Sequence, residues 1–428
     1  MAIIGTIPRR CVNLPPGSLR ALVNCAVRGT AQEGTAVDVF VKKFSDWLGV
    51  PYVFGAASGR SAFQLALESL GLEKGQEIIF PSFTFPVMPM VAKLLGYKPV
   101  FCGVDPVTFN SGPEHIEPLI NERTGAVLAT HLFGQPCAIR EIADLVRKRN
   151  VRLMEDCAHA LGVRVGGRAV GTFGDIGIYS FAEGKNMPCF GGGAIATSDE
   201  EIAKRARGVL AKAPMPDSGT ILKKASFIWL LWLLTRPEVF GVTVYPALRL
   251  NLFLGRPLMD SAVGNELLSA FAASKPRVYR LANLQAAVGL LQLERIDAFN
   301  EGARKNANIL TESLDGISGI GVPSSTTGDH IYVYYPLTVD PDRRDALRAY
   351  LLKHGFDTKT TDMSDCSMLE PFHENGGGVR EQRGPKEASI LEICVYPVIP
   401  EKSIRRLGRA IRSWVGSDDA TGSNKVSI

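Results

Sequence analysis

Two residues of this 428-residue chain have the types and surroundings for carbonyl chemistry. Asp156 ends an apolar, strand-like run over 151–154, and Lys185 sits in the short polar loop that follows Tyr179-Ser180-Phe181. Glycines crowd both, Gly174 and Gly177 before the lysine and Gly191, Gly192 and Gly193 after it. A lysine amine condenses with an aldehyde to a Schiff base, and a carboxylate can hold a pyridine nitrogen protonated so that the ring draws in electrons. Glycines let backbone lie close to a flat group. Pyridoxal 5'-phosphate needs these parts. Taken singly, Lys185 reads as a solvated loop lysine and Asp156 as a helix cap after a strand; together they favour the cofactor.

A phosphate needs backbone donors and a helix N-terminus. Ser58-Gly59-Arg60-Ser61 leads directly into a helical pattern over 61–70 and offers both. Arg60 has three uses open to it: a charge-assisted phosphate contact, an anionic substrate, or plain solvation.

At these stretches the chain resembles the DegT/DnrJ/EryC1/StrS family of sugar aminotransferases, fold-type I enzymes that use pyridoxal phosphate. The likeness runs from about Phe54 to about Val415. It is carried also by 57–67 (Ala-Ser-Gly-Arg-Ser-Ala-Phe-Gln-Leu-Ala-Leu), Pro81-Ser82-Phe83-Thr84-Phe85, Thr130-His131-Leu132-Phe133-Gly134-Gln135, and Asn283-Leu284-Gln285-Ala286-Ala287-Val288-Gly289 with Gln292-Leu293-Glu294. The resemblance implies that Lys185 carries the cofactor, that Asp156 pairs with its ring nitrogen, that Ser180 and the 58–61 turn hold the phosphate, and that Phe85 stacks on the ring. His159 stands where the family usually has glutamine, and its charge is expected to respond to pH. It further implies an amino-acid donor such as glutamate, a keto-sugar acceptor (nucleotide- or lipid-linked, or a related polyol), and a homodimer with composite sites.

Two stretches depart from the family. Val278, within Pro276-Arg277-Val278-Tyr279-Arg280, replaces an asparagine that reaches the partner's phosphate, and Thr361-Asp362-Met363 replaces a histidine-aromatic-proline stretch. Both bear on the substrate side. Two other readings therefore stand beside the aminotransferase: a sugar dehydratase, against which an intact Lys185 argues, and a non-catalytic membrane-associated homologue, against which Lys185, Asp156 and Ser180 argue.

Composition narrows the partners. The net charge of +5 is modest and the basic residues are spread out, so nucleic acid is not implied. The eight cysteines have no metal-ligand spacing and are expected as reduced, buried fillers in a cytoplasmic protein. Residues 1–5 are too short an apolar run for a signal peptide.

Strand and helix patterns alternate through the first part: strands at 53–56, 77–80, 98–104, 126–130 and 151–154, helices at 61–70, 86–95 and 139–149. This argues for an α/β fold with a mostly parallel sheet covered by helices, whose ligands bind at the carboxyl ends of the strands. Later helices are expected at 200–211, 281–299, 302–314, 343–354 and 403–415, with a strand at 331–337. The chain divides into a large cofactor-binding domain (1–300), a smaller C-terminal α+β domain (301–415) and a disordered polar tail (416–428). Between about 212 and 276 the chain is longer than the family, with the apolar runs 227–234 and 239–245 beside Lys223, Lys224, Arg236 and Arg249. Arg236-Pro237-Glu238 interrupts too soon for a membrane span. Packing at a subunit interface is the favoured reading of 227–245; peripheral contact with the inner face of a membrane is the other.

Overall fold

The computed structural model describes residues 5–258, 265–273, 277–323, 330–375 and 389–417. The tail expected from 416 lies, from 418 onward, outside the described residues.

Helices α1 (Ser18–Arg28) and α2 (Ala36–Leu48) lead into a seven-stranded central sheet. In space its strands run β1 (Tyr52–Ala56), β10 (Gly193–Thr197), β9 (Ile176–Ser180), β6 (Arg152–Asp156), β5 (Thr124–Thr130), β2 (Glu77–Pro81) and β4 (Lys98–Cys102). The pairs from β9 through β4 are parallel; β10 is antiparallel to both β1 and β9, so only β10 runs against the rest. Helices α3 (Gly59–Leu70), α4 (Val87–Leu94), α6 (Ile139–Lys148) and α7 (Glu200–Lys212) cover the sheet, with a short α5 (Pro113–Ile116) and the two-residue strands β3 (Phe83–Thr84), β7 (Arg164–Val165) and β8 (Arg168–Ala169) at the loops.

The alternation of side chains along a strand explains the two faces. Ile78 and Phe80 pack with Phe63 and Leu67 of α3 and Val91 of α4. Ile79, between them, points the other way, to Ile142 and Val146 of α6. Burial on both faces is why β2, β5 and β10 read as continuous apolar runs.

The segment that lengthens the chain is helical: α8 (Ser218–Leu234), α9 (Pro237–Phe240), α10 (Val244–Phe253) and α11 (Asn265–Ala273). Asp217 caps α8, its Oδ2 accepting the Thr220 N–H at 2.8 Å. Ile221, Ala225 and Ile228 of α8 are buried against Leu22 and Cys25 of α1 and Leu284 and Val288 of α12 (Asn283–Leu293). On its other side Phe227 is 62% and Leu230 48% exposed. None of the described helices is long and apolar enough to cross a membrane.

The expected helix over 281–299 is two helices, α12 and α13 (Ile296–Leu314), with Arg295 at φ −124° between them. The turn lets Ile296 enter the same core as Ala286. The 300/301 boundary therefore falls inside α13. Beyond it, β11 (Ile320–Gly321), β12 (Tyr335–Val339), β13 (Lys359–Thr360) and β15 (Ile390–Ile393) form an antiparallel sheet in the order β11-β12-β15-β13, packed by α14 (Pro341–Lys353) and α15 (Glu401–Val415). Strand β12 starts later than the pattern predicts, because Tyr332 adopts φ 50° and residues 331–334 leave the sheet. Strand β14 (Ser364–Asp365) crosses back to pair with β3, beside Phe85. Residues near the start also join this C-terminal part: Ile7 exchanges backbone hydrogen bonds with Gly355 and Asp357, each 2.9 Å, and Arg9 pairs with Asp357.

Candidate active site

The carboxyl ends of β1, β5, β6 and β9 open on one cavity of about 510 Å³. It is lined by Gly59, Arg60, Phe85, Asp156, His159, Ser180 and Lys185, so seven of the eight singled-out residues meet there. Ser61 does not line it. It is buried one turn in, its N–H bonded to Ser58 Oγ at 3.1 Å and its hydroxyl to the Arg277 carbonyl at 3.3 Å. The N-cap that orders this end is Ser58.

Adjacent carboxylates on β6 have separate duties. Asp156 Oδ1 accepts the Ala158 N–H at 2.9 Å. Burial pushes its pKa up, while that N–H and the Lys185 ammonium pull it down. Glu155 points away from the cavity and is fully buried. Its oxygens accept the Gly171 and Gly174 N–H groups, each at 2.7 Å, and lie 3.3 Å from His131 Nε2. His131 Nδ1 in turn accepts the Cys137 N–H at 3.2 Å. His131, Glu155 and Cys157 cluster closely enough to suggest a metal site, yet these hydrogen bonds account for the carboxylate and imidazole as a brace under the glycine loop.

Lys185 follows β9 in a tight turn, its N–H bonded to the Ala182 carbonyl at 3.0 Å. Burial lowers its amine to about 8, against the pull of Asp156 and Asp362. Side chains from distant helices clamp the loop. Asn186 Nδ2 donates to the Leu161 carbonyl and to Asn300 Oδ1, and Gln292 Nε2 donates to the Pro188 carbonyl. Tyr334 and Tyr396 hydroxyls donate to the Gly184 carbonyl at 3.0 and 3.3 Å.

The far end is set by Phe190, Gly191 and Gly192, three successive residues at positive φ. The Gly192 N–H reaches the Ala57 carbonyl at 3.0 Å, and its carbonyl accepts the Phe181 N–H. This pair of bonds draws the α3 N-terminus against the end of β9. A Cβ on Gly59 would sit 2.7 Å from Ser180 Oγ, so the close approach requires glycine.

His159 Nδ1 accepts the Phe133 N–H at 3.3 Å, which leaves Nε2 as the protonated nitrogen. Burial, Lys185 and Lys359 hold its pKa well below the ordinary value. Contrary to the expectation from sequence, its charge does not change through the neutral range.

Several lining residues were not singled out as site residues from the sequence. Arg10 arrives from the extended segment before α1 and lies 3.8 Å from Asp362. Lys359 bonds Glu392 at 2.9 Å and Asp362, with its ammonium 4.9 Å from the Tyr334 ring centre. Lys224 reaches in from α8. Thr84 and Thr130 had a signal, since both lie in family-like stretches. Their hydroxyls are buried at the cavity with no hydrogen-bond partner among the described residues.

A profile of the DegT/DnrJ/EryC1/StrS aminotransferase family matches residues 17–220 and 273–410. The chain belongs to that family. Its enzymes are pyridoxal-phosphate-dependent aminotransferases, and so is this one. The unmatched residues between, 221–272, comprise most of α8, all of α9 and α10, and most of α11.

This aminotransferase is 29% identical, over 89% of its length and 88% of the relative's, to the UDP-N-acetyl-3-dehydro-alpha-D-glucosamine 3-aminotransferase of Acidithiobacillus ferrooxidans. It is likewise 29% identical to the dTDP-3-amino-3,4,6-trideoxy-alpha-D-glucose transaminase of Streptomyces venezuelae, over 89% of this chain and 87% of that one. Among solved structures it resembles the aminotransferase TlmJ from Streptoalloteichus hindustanus, with TM-score 0.75, 25% identity, and 96% and 99% of the two chains covered.

The residues present fit the cofactor. A glycine cradle at the α3 N-terminus, two unpartnered buried hydroxyls, a carboxylate and a lysine of lowered pKa face one space.

Proposed function

We propose that the enzyme moves an amino group from an amino-acid donor such as glutamate to the keto group of a sugar, nucleotide- or lipid-linked, or of a related polyol. The setting is amino-sugar and cell-surface polysaccharide biosynthesis in the cytoplasm. The observation that carries this reading is the convergence of Lys185 and Asp156 on one cavity beside the α3 N-terminus. Relatives named for UDP- and dTDP-linked sugars support the acceptor class.

When bound, pyridoxal phosphate supplies an electron sink for bonds broken at the donor's α-carbon. Asp156 would hold a proton on the ring nitrogen. The neutral Lys185 amine takes the proton from the donor α-carbon and returns one to the acceptor carbon. A lysine near 8 suits this exchange, because both forms are populated close to neutrality. His159, neutral with its Nε2–H available, would donate to the ring's phenolic oxygen. Ser180, Gly59 and Arg60 would hold the phosphate, and Phe85 would pack on the ring.

The working unit in this reading is a homodimer. Leu19, Val23 and Val27 form an exposed row at four-residue spacing on α1, which packs beside α8 with its exposed Phe227 and Leu230. An exposed apolar surface of this kind calls for a cover, and a second copy supplies it. A lipid surface over 227–245 is the competing cover.

Cofactor-loaded protein incubated with glutamate and a nucleotide-linked keto-sugar should yield 2-oxoglutarate and the aminated sugar by mass spectrometry. A dehydrated sugar without nitrogen would favour the dehydratase reading. Failure to retain any cofactor would favour the non-catalytic one.

A further inference from the structure

The family-unmatched segment enters the cavity at a particular end. Lys224, on α8, lines the cavity together with Arg60 and Glu183. A Cβ placed on Gly191 would lie 2.6 Å from Lys224 Nζ and 3.0 Å from Gln285 Nε2, so the ammonium rests against Gly191 itself. Gly191 adjoins Gly192, whose N–H bonds the Ala57 carbonyl, and Gln285 Nε2 donates to the same carbonyl at 3.2 Å. Ala57 immediately precedes the Ser58 cap of α3. Lys224 is thus at the α3 N-terminal end of the cavity.

Arg60 is steered by the same segment. Its guanidinium lies 5.6 Å from the ring centre of Phe271 on α11. Lys224 and Phe271 both fall within 221–272, outside the family match. Two cations face one carboxylate, Glu183, across this end. Lys224 is solvent-exposed at the cavity's edge; partial burial lowers its pKa, Glu183 opposes that and Arg60 adds to it. Val278 offers no donor here; its side chain is buried in the core with Ala62 and Phe63.

From this geometry we infer that Lys224, with Arg60, is a phosphate-binding residue that the inserted helices contribute to the active site of their own chain. The inference rests on the proposed cofactor site and adds a contact outside the family pattern. The ligand is a phosphate oxyanion, from either the cofactor's monoester or the acceptor's diphosphate. An ammonium–phosphate hydrogen bond is charge-assisted, and losing one should weaken binding by about tenfold or more.

The test uses full-length protein stripped of cofactor and titrated by absorbance with pyridoxal 5'-phosphate and, separately, with pyridoxal. A second arm measures UDP binding to cofactor-loaded protein by calorimetry. Lys224→Met should weaken either the phosphorylated cofactor without weakening pyridoxal, or UDP, and the weakened arm identifies the source. Lys224→Arg should restore the loss. It also keeps the test decisive if the methionine variant folds poorly, because its thermal unfolding without ligand can be matched to wild type. If Lys224→Met binds all three probes as wild type does, or weakens pyridoxal as much as its phosphate ester, the inference is overturned. If wild-type protein binds no cofactor at all, the proposed site itself fails instead.

Discussion

The floor and the roof of the cavity are built on different principles. The floor gathers Asp156 and Ser180 at the ends of β6 and β9, and Lys185 in the turn after β9, where backbone pairing and buried glycines fix the neighbours. The roof, α8 to α11, has no strand pairing. It is attached by side-chain burial, through Ile221, Ala225 and Ile228 below and Phe240 and Tyr245 against Leu352 of α14, and by side-chain hydrogen bonds such as those from Tyr245 and Arg249 to the Leu352 and Lys353 carbonyls. The floor therefore holds groups whose placement decides the reaction. The roof can change in length and sequence without disturbing them, and can still deliver a side chain such as Lys224. Substitutions should separate the two regions.

The largest effect is expected at the floor. Lys185→Ala should abolish transamination while leaving thermal unfolding near that of stripped wild type, checked by product assay and calorimetry; residual turnover near the native rate would move the proton-transfer role elsewhere. Next comes Asp156→Asn, which keeps the shape and loses the charge. Its rate should fall by orders of magnitude, each ~1.36 kcal/mol of lost transition-state stabilisation giving about tenfold. A variant within a few-fold of wild type would remove Asp156 from the ring nitrogen. The neighbouring Glu155→Ala should do the reverse. It strands the buried Gly171 N–H and the part-buried Gly174 N–H, so denaturant unfolding should report a loss of about 2–4 kcal/mol. Unchanged stability would contradict the bracing role.

Titration sharpens the same contrast. Burial depresses Lys185 to about 8, so its neutral, nucleophilic form grows as pH rises through 8 and is complete above it. The rate at which stripped enzyme takes up pyridoxal phosphate should climb to about pH 8 and then level. Continued climbing toward pH 10 would mean an ordinary solvated lysine. Because the folded pKa lies below the unfolded one, the cofactor-free fold also gains stability from about pH 8 upward.

The smallest effect is expected on the roof. Trp229→Ser with Trp232→Ser alters half-buried positions. If a second copy covers α8, sedimentation should show a weakened dimer and liposome flotation no binding by wild type. Flotation of wild type with anionic vesicles, lost in a variant that stays dimeric, would give the surface to a membrane.

The sequence was legible where residue type and neighbours carry the meaning. Asp156 ends a strand and Lys185 stands in a loop, with glycines nearby that advertise close packing, and Ser58 precedes a helix with regular apolar spacing. The alternating strands and helices of the first part were legible because the central strands, such as β2 and β5, are buried on both faces. Three features were not. Lys224 precedes the apolar run 227–234 on α8, whose lack of a polar face marks no side of the helix as facing a cavity. Arg10 gains its place only because Ile7 pairs with the C-terminal part of the chain. The positive φ of Tyr332, which delays β12, leaves no trace in an apolar run. His159 was read as a pH-responsive group since its type allows it; burial and two lysines decide otherwise.

The central claim is that Lys185 is the residue to which pyridoxal phosphate is attached. Borohydride reduction of the loaded enzyme followed by peptide mass mapping tests it most directly. The account predicts a single stable adduct on the peptide containing Lys185, absent in Lys185→Arg; an adduct on another lysine, Lys224 included, or none at all, would contradict it.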